Sequence, residues 1–578
     1  MSQQDAEAFQ ESWKAFMQAG MRLMQNFNTQ LNSPAPSAFA AFAAETSRPD
    51  SPLLNLQQHL MHDQLKLWQS ALKKSAGEEP DFVVHPERGD RRFRAAEWSA
   101  SPVHEYLQQA YLLNSRYLNE AVELLPAEDE KTRQKQRFSV RQLIEASSPA
   151  NFAATNPEFI KTALESEGRS ITEGARHLFE DLRRGRISTT DESAFEVGKN
   201  VATTEGTVVH ENAVMQLIQY KPLTAKVGKR PLLMTPPCIN KYYILDLQPE
   251  NSLVRYVIEQ GHTLFLISWK NPGQSEAHLT WDDYVEGGPL SAIRIVKQIC
   301  KTNELNALGF CVGGTMLVTA LAVLAARGDT SVKSLTLLTT LLDFAEAGEI
   351  SLFVEEKSLA AREEALAKGH QNLLTGQELY STFSALRGND LIWNYVVNNY
   401  LKGIKPPAFD LLYWNADSTN LPGRFAVWYM RNMYLENRLC VPGKVTVCGT
   451  PVNLGNIKMP SYILATREDH IVPWQSAYRS FKLLGGKKRF TLSASGHIAG
   501  VINPASKNKR HYWLNTNYRL GASKWLERAE NHPGSWWSNW AAWLKEHKGE
   551  EKNAPRNPGG GKYKPIEPAP GRYVKQKA

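Results

Sequence analysis

Residues 308–315 read Leu-Gly-Phe-Cys-Val-Gly-Gly-Thr and join two apolar runs of different length. The run that leads into them, Asn306-Ala307-Leu308, is short and typical of the end of a buried strand. The run that leaves them, residues 315–326, is unbroken and too long for a strand, which predicts a buried helix. Cys311 is therefore expected at a sharp turn from a strand into a helix.

The glycines on either side of Cys311 have a mechanical reason. Residues two positions from the tip of a strand-to-helix turn crowd it, and Gly309 and Gly313 carry no Cβ that would obstruct the turn. The N-terminus of a helix also favours the thiolate, because free N–H groups and the helix dipole stabilise negative charge there. The pattern predicts the nucleophile elbow of an α/β-hydrolase with cysteine in place of serine; a buried structural cysteine in a glycine-rich turn is the alternative.

Size and composition indicate a globular enzyme of at least two domains. The chain has 578 residues, which is too long for one compact core. Hydrophobic residues make up 42% and charged residues 22%, as in ordinary soluble enzymes. A net charge of +8 fits an anionic substrate or surface, although a modest basic excess on a long chain can equally have no specific meaning.

The cysteines and the first residues favour a cytoplasmic protein. The five cysteines show no C-x-x-C pair, so neither a disulfide framework nor a zinc site is expected. The sequence begins without a basic and apolar leader, and no apolar run reaches the roughly 20 residues that cross a bilayer. We expect reduced thiols and no transmembrane segment, and we do not expect a nucleic acid partner.

Four segments are expected along the chain. Residues 1–52 combine an amphipathic helix, which could dock on this protein, a partner or a lipid-like surface, with a linker rich in Pro, Ala and Ser. Residues 53–195 form a helical domain, and residues 196–545 form an α/β-hydrolase-like catalytic domain with a helical cap at about 341–420. Residues 546–578 are a tail rich in Gly, Pro and Lys, for which we expect mobility, with docking in an extended form as the alternative.

The periodicity of apolar residues supports this division. Up to about Ser188 the spacing is helical, and strand-like runs then alternate with helices, which indicates a mostly parallel sheet covered on both faces. Three tryptophans near residue 540 share one helical face and are expected to pack in the core: Trp536, Trp540 and Trp543. The predicted N-terminal helices span residues 53–73, 103–125, 131–146 and 157–183.

An elbow nucleophile requires an acid and then a histidine later in the chain. Asp469 follows the strand-like residues 462–465, and His497 follows the strand-like residues 490–492, so both sit after late strands and in the required order. We predict a triad of Cys311, Asp469 and His497. The rivals are Glu468 and Asp246 for the acid and His470 for the base.

The oxyanion hole is expected to use two backbone N–H groups. One belongs to Val312, the residue after the nucleophile, and the other to the loop after the early strand 232–235. Pro236 and Pro237 have no N–H, so Cys238 and Ile239 remain as donors near the bend. Of these two residues, we favour Ile239.

Several longer motifs resemble those of the polyhydroxyalkanoate synthases. The single long chain and the Phe-Cys-Val box resemble class I, the short-chain poly(3-hydroxyalkanoate) type. The resemblance extends from about Asp90 to residue 578 and leaves out the first helix and the linker. The motifs are Gly-Phe-Cys-Val-Gly-Gly at 309–314, Pro-Pro-Cys-Ile-Asn-Lys-Tyr-Tyr-Ile-Leu-Asp-Leu at 236–247, Trp-Asn-Ala-Asp-Ser-Thr-Asn at 414–420, Arg-Glu-Asp-His-Ile-Val-Pro-Trp at 467–474 and Ser-Gly-His-Ile-Ala-Gly at 495–500.

The resemblance implies polymerisation of (R)-3-hydroxyacyl-CoA, such as 3-hydroxybutyryl-CoA, with release of CoA. Cys311 would attack the thioester and hold the growing chain, and Asp469 would help His497 to activate the 3-hydroxyl group. No cofactor is implied, because CoA is part of the substrate. A homodimer is also implied, as is a cytoplasmic location at polymer granules, where the partners are the polyester, the granule surface and possible granule-associated proteins.

Arg387 and Trp414 are carried over from the same resemblance as substrate contacts. Arg387 lies in a cap motif that usually has proline where this chain has Gly388, and it could meet CoA phosphates or be an ordinary surface arginine. A cysteine-dependent thioesterase or polyester depolymerase, with water as the acceptor, remains an alternative. A granule-surface binding protein with a vestigial triad is another, and the use of one thiol or two during elongation stays open.

Overall fold

The computed structural model describes Phe42, Glu45, Arg48 and residues 50–370 and 372–578. The predicted amphipathic helix and most of its linker, within residues 1–52, lie outside the described residues. The described chain separates into two compact units. The first runs up to Asp191 and includes Ser381–Ala408, and the second comprises Glu192–Tyr380 and Phe409–Ala578. Among the helices described, none is long and apolar enough to cross a membrane.

The first unit is helical, as the sequence predicts. Its core is formed by small and branched apolar residues between the long helices, among them Leu53, Ala121 and Ile144. Ser51 and Asp129 cap two of these helices by accepting hydrogen bonds from Leu53 N–H and Thr132 N–H. The helices are α1 (Pro52–Ser75), α2 (Glu97–Ala100), α3 (Pro102–Leu124), α4 (Glu130–Ala146), α5 (Pro157–Glu165) and α6 (Arg169–Arg184), with π-type turns at Asn389–Trp393 and Val396–Leu401.

The single helix predicted over residues 157–183 is wrong, because the chain breaks it after α5. Glu167 and Gly168 have φ values of +52° and +81°, in the left-handed region that ends helices. The Gly168 N–H donates to the carbonyl of Ala163 at 2.8 Å and closes the turn. A glycine in the interior of a helical pattern was the available signal for this break.

The second unit is built on one large mixed sheet. Among the described residues, eleven strands join it in the order β15-β14-β13-β12-β7-β6-β4-β5-β2-β1-β17, where β5, β4, β6, β7, β12 and β13 are parallel. The strand bounds are β1 (Gly206–Glu211), β2 (Met215–Tyr220), β3 (Lys226–Gly228), β4 (Leu232–Thr235), β5 (Leu264–Trp269), β6 (Leu305–Phe310), β7 (Val332–Leu338), β8 (Leu373–Leu374), β9 (Leu421–Pro422), β10 (Thr446–Val447), β11 (Thr450–Pro451), β12 (Ser461–Thr466), β13 (Lys488–Ser493), β14 (His511–Leu514), β15 (Glu530–Pro533), β16 (Glu551–Asn553) and β17 (Glu567–Pro568).

Helices cover both faces of this sheet, so the chain has the predicted α/β-hydrolase architecture. Side chains of a strand alternate between faces, and in β6 Ala307 packs into one apolar core while Leu308 and Phe310 pack into the other. The helices that lie wholly or partly in this unit are α7 (Leu253–Glu259), α8 (Trp281–Val285), α9 (Ser291–Cys300), α10 (Val312–Ala326), α11 (Glu356–Ala367), α12 (Gly376–Ala385), α13 (Asp410–Ala416), α14 (Gly423–Tyr429), α15 (Trp474–Ser480), α16 (Ala522–Glu527) and α17 (Trp536–His547), and α12 continues into the first unit from Ser381 onward.

The tryptophans of α17 are core residues, as predicted. Trp536, Trp540 and Trp543 are buried on one face of the sheet. The indole N–H of Trp540 donates to Thr336 Oγ1 of β7 at 3.0 Å, so its polar group is satisfied inside the core.

The predicted cap, at about residues 341–420, is divided between the two units. Its middle part, Ser381–Ala408, belongs to the helical unit, and the parts on either side belong to the α/β unit. Long-range polar contacts hold the middle part in the helical unit: the hydroxyl of Tyr400 donates to Asp181 at 2.7 Å, and Gln142 donates to the carbonyl of Ala385 at 2.8 Å. The N-terminal segment of the first unit ends at Asp191, and the domain boundary predicted from the sequence is at residue 195.

The prediction of a mobile tail over residues 546–578 is wrong, and the extended docking that was the alternative is what the chain does. β16 pairs with β3, and β17 adds an antiparallel strand beside β1 at the edge of the large sheet. Tyr573 and Val574 are buried beyond β17. The edge strand β1 has N–H and C=O groups that need partners, and the tail supplies them despite its low apolar content.

We expect the amides of Ile566 and Ala569 to exchange slowly with deuterium, because they donate to the carbonyls of Val208 and Gly206 at 2.8 and 2.9 Å. Hydrogen exchange of the full chain, read by mass spectrometry, should show protection of roughly 100-fold or more for this segment. Peptides from the buried strand β4 serve as the protected reference. Exchange of residues 565–570 at the rate of an unstructured peptide would contradict the docked tail.

Candidate active site

The turn at Cys311 has the strained backbone that a nucleophile elbow requires. β6 ends at Phe310, α10 begins at Val312, and Cys311 between them has φ +51° and ψ −128°. A non-glycine residue rarely adopts this conformation, and it persists where the surroundings hold it in place. The Cys311 N–H donates to the carbonyl of Leu338 in β7 at 2.9 Å and fixes the turn to the sheet.

Three glycines allow this turn to pack. A Cβ on Gly309 would overlap the Cα of Gly314, and a Cβ on Gly313 would overlap the carbonyl group of Pro236. These are the two glycines that the sequence identifies. Gly314 is a third, because a Cβ there would overlap the side chain of Thr340, a residue that no local pattern links to the elbow.

Asp469 and His497 meet as a buried pair. Asp469 follows β12, His497 follows β13, and these parallel strands end at the same edge of the sheet. His497 Nδ1 lies 2.7 Å from Asp469 Oδ2. His497 is 6% and Asp469 7% exposed, so this hydrogen bond is shielded from water.

The carboxylate of Asp469 is held by donors of its own loop. Its Oδ1 atom accepts from the N–H groups of Ile471 and Val472 at 2.9 and 2.8 Å, and its Oδ2 atom accepts from the Thr466 hydroxyl at 3.1 Å. These donors fix the carboxylate, which in turn orients the imidazole of His497. Sequence reasoning missed them, although a threonine at the end of a strand was a visible signal.

Charge around His497 favours its protonated form. Burial acts to lower the pKa of His497, but the Asp469 carboxylate and the side chain of Cys311 act against burial, and the net result is a raised pKa. Of these two side chains, the carboxylate of Asp469 hydrogen-bonds the ring directly. Phe310 stacks against the imidazole with a centroid distance of 5.8 Å. The structure thus brings together Cys311, His497 and Asp469.

The rival acids and the rival base have other surroundings. Asp246 is buried and accepts from the hydroxyls of Thr204 and Ser252 at 2.5 and 2.6 Å, and burial raises the pKa of its carboxyl group. Glu468 is exposed, and His470 is partly exposed at the position after Asp469. The hydrogen bond from His497 goes to Asp469.

The two predicted oxyanion donors lie on segments that touch. Val312 is the first residue of α10, and Ile239 belongs to the loop after β4. The close approach of Gly313 to Pro236 joins the start of that helix to this loop. The use of the N–H groups of Val312 and Ile239 remains a prediction.

Arg387 and Trp414, the two predicted substrate contacts, lie in different parts of the structure. Arg387 belongs to the helical unit, where it forms an exposed ion pair with Asp390 at 2.5 Å. Trp414 is buried in α13 and donates its indole N–H to the carbonyl of Lys241 at 2.7 Å. Trp414 therefore anchors the loop after β4, and its role as a substrate contact remains a prediction.

Cys311 influences two further groups, the hydroxyl of Tyr434 and the thiol of Cys238. Burial raises the pKa of the Tyr434 hydroxyl, and the charge of Cys311 adds to this effect. The same two causes raise the pKa of the Cys238 thiol. Tyr434 also stacks edge-on against Tyr429 at 5.5 Å. Cys238 lies in the motif at 236–247, whereas no quoted motif contains Tyr434, which comes from a separate segment of the chain.

The chain is similar to known families and proteins over most of its length. Residues 89–257 match the family described as the N-terminus of poly-beta-hydroxybutyrate polymerase (PhaC), and residues 231–504 match the alpha/beta hydrolase fold family. The chain is 55% identical over 527 residues to the poly(3-hydroxyalkanoate) polymerase subunit PhaC of Cupriavidus necator, covering 91% of this chain and 88% of that protein. It is 43% identical over 530 residues to the poly(3-hydroxyalkanoate) polymerase of Methylorubrum extorquens, covering 91% and 87%.

We expect Asp469→Asn to slow alkylation of Cys311 by iodoacetamide roughly tenfold near pH 7. The raised pKa of His497 keeps the imidazole protonated there, and an imidazolium ion stabilises a neighbouring thiolate. Loss of the Asp469 charge lowers the pKa of His497, so less imidazolium is present at this pH. Rates measured by peptide mass spectrometry should converge in alkali, above about pH 9, where a thiol ionises without help.

Asp246→Asn is the matched control for this experiment, because it removes a buried carboxyl group outside the proposed triad. It should leave the alkylation rate of Cys311 unchanged. A rate lost in Asp246→Asn and kept in Asp469→Asn would reverse the assignment of the acid.

Proposed function

This chain belongs to the poly(3-hydroxyalkanoate) polymerase family, acyltransferases with an α/β-hydrolase fold, and we propose that it polymerises short-chain (R)-3-hydroxyacyl-CoA through an acyl group held on Cys311. The observation that carries the proposal is the buried imidazole of His497, which hydrogen-bonds the carboxylate of Asp469 at 2.7 Å and interacts electrostatically with the side chain of Cys311.

The first step is acylation of the thiol. The proton of the Cys311 thiol is held on Nε2 of His497, because Nδ1 faces Asp469, and the resulting thiolate attacks the thioester carbonyl of the substrate. The tetrahedral oxyanion forms beside the N–H groups proposed as its donors, those of Val312 and Ile239. Collapse of this intermediate breaks the bond to the CoA sulfur, which leaves with the proton from His497 as free CoA.

The second step makes the ester bond of the polymer. A 3-hydroxyl group attacks the acyl-cysteine, His497 takes the hydroxyl proton, and Asp469 stabilises the imidazolium ion that forms. The bond to Cys311 breaks, and the returning proton restores the thiol. Cysteine suits this sequence because exchange of one thioester for another costs little free energy, so the acyl group remains activated for transfer to oxygen.

Several finer proposals follow from the same family membership. The chemistry uses a thiol, an imidazole and a carboxylate of the chain, and it requires no cofactor. We place Arg387 and Trp414 as candidate substrate contacts. We also propose a homodimer in the cytoplasm at polymer granules, with the granule surface, the growing polyester and granule-associated proteins as its partners.

We expect Cys311→Ala to abolish CoA release, and Cys311→Ser to reduce it by roughly 1,000-fold or more, because the serine would form an oxygen ester that no longer drives transfer. The wild-type enzyme should release CoA faster from (R)-3-hydroxybutyryl-CoA than from the ten-carbon substrate. The measurement is the rate of CoA release from both substrates by all three proteins.

The product separates polymerisation from hydrolysis. Insoluble polyester should account for the acyl groups that the wild-type enzyme consumes, whereas free 3-hydroxybutyrate in equal amount would identify a thioesterase. Equal turnover of the four- and ten-carbon substrates would contradict the short-chain assignment. Activity retained in Cys311→Ala would remove the proposed nucleophile.

A further inference from the structure

The loop after β4 is held by its carbonyl oxygens. Four of the six residues from Pro236 to Lys241 have a carbonyl group that accepts a hydrogen bond from outside the loop. The bonds run from Trp269 Nε1 to Pro236 O at 2.8 Å, from Thr419 Oγ1 to Cys238 O at 2.8 Å, from Thr419 N to Ile239 O at 3.4 Å and from Trp414 Nε1 to Lys241 O at 2.7 Å.

One of these bonds controls the group proposed as an oxyanion donor. The carbonyl of Cys238 and the N–H of Ile239 belong to the same peptide unit, which is planar and trans, so they point in opposite directions. A donor that holds the carbonyl on one side therefore directs the N–H to the other side. The hydroxyl of Thr419 is that donor, and the residue is 2% exposed.

We propose that Thr419 is a positioning residue that aims the N–H of Ile239 at the oxyanion through its hydrogen bond to the Cys238 carbonyl; this inference rests on the proposed function. The backbone N–H of Thr419 holds the next carbonyl, that of Ile239. Thr419 thus fixes two successive peptide units of the loop.

The loop is placed for this role by contacts with the nucleophile elbow. The carbonyl of Pro236 lies so close to Gly313 that a Cβ there could not be accommodated. β4 and β6 are neighbouring parallel strands in which Thr235 pairs with Gly309, so the loop begins beside the end of the strand that leads into Cys311. A fixed donor costs no reorganisation when the oxyanion forms, which is the basis of catalysis by preorganised dipoles.

Thr419→Val keeps the shape of the side chain and removes its donor, whereas Thr419→Ser keeps the donor. With 3-hydroxybutyryl-CoA we expect the valine variant to lose roughly 10- to 100-fold in kcat, while KM changes by less than about threefold, since the donor acts mainly in the transition state. The serine variant should retain kcat within about twofold.

Thr319→Val is the matched control. Thr319 is equally buried, and its hydroxyl also donates to a backbone carbonyl at 2.8 Å, that of Met316 in α10, outside the loop. This variant should keep the wild-type kcat. Alkylation of Cys311 by iodoacetamide needs no oxyanion hole, so its rate and pH profile should be the same in Thr419→Val and the wild type.

Each result supports or overturns the proposal. A wild-type kcat in Thr419→Val, or an equal loss in Thr419→Ser and Thr319→Val, would overturn it, as would a changed alkylation profile, which would indicate general damage to the thiol and imidazole. If the valine variant does not fold, a serine variant that loses kcat overturns the proposal by itself. Cys311→Ala, measured beside these proteins, distinguishes a failure of this inference from a failure of the proposed function. Residual activity in Cys311→Ala would mean that the proposed function is wrong, whereas failure of the inference alone leaves Cys311→Ala inactive.

Discussion

The structure of the site depends on one strained residue, Cys311, held at the tip of a turn. Its backbone conformation costs on the order of 1–3 kcal/mol relative to ordinary regions. The surrounding packing maintains it, because Gly309 and Gly314 approach without side chains and the Cys311 N–H is bonded to β7. This turn places the thiol at the carboxyl end of the central strands, where the loops that carry Asp469 and His497 also begin.

Burial then determines how strongly the charges of these three side chains interact. A buried imidazolium ion loses its hydration, and at His497 the nearby carboxylate and thiol more than offset that loss. The carboxylate can do so because the loop residues Ile471 and Val472 hold it in place with backbone N–H groups. In the proposed mechanism, the proton of the thiol therefore has a defined acceptor, and its transfer requires no entry of water.

Local patterns predict the parts of this arrangement that are local. The elbow follows from a strand, two glycines and a helix that are contiguous in sequence, and Asp469 and His497 follow from their places after short apolar strands. Contacts between distant segments escape such reasoning. Thr340 meets Gly314, and Thr419 meets Cys238, only after the chain has folded. Residues 546–578 have too few apolar residues to predict order, yet the unpaired edge of β1 binds them.

The most direct measurement uses butyryl-CoA, which can acylate a thiol but lacks the 3-hydroxyl group needed for elongation. After incubation with the full chain, mass spectrometry of its peptides should find one butyryl group on Cys311, and hydroxylamine should remove it as it removes thioesters. The adduct should form much more slowly when His497 is replaced by glutamine. A butyryl group on another residue, or full acylation of Cys311 without the imidazole, would contradict a thiol activated by His497.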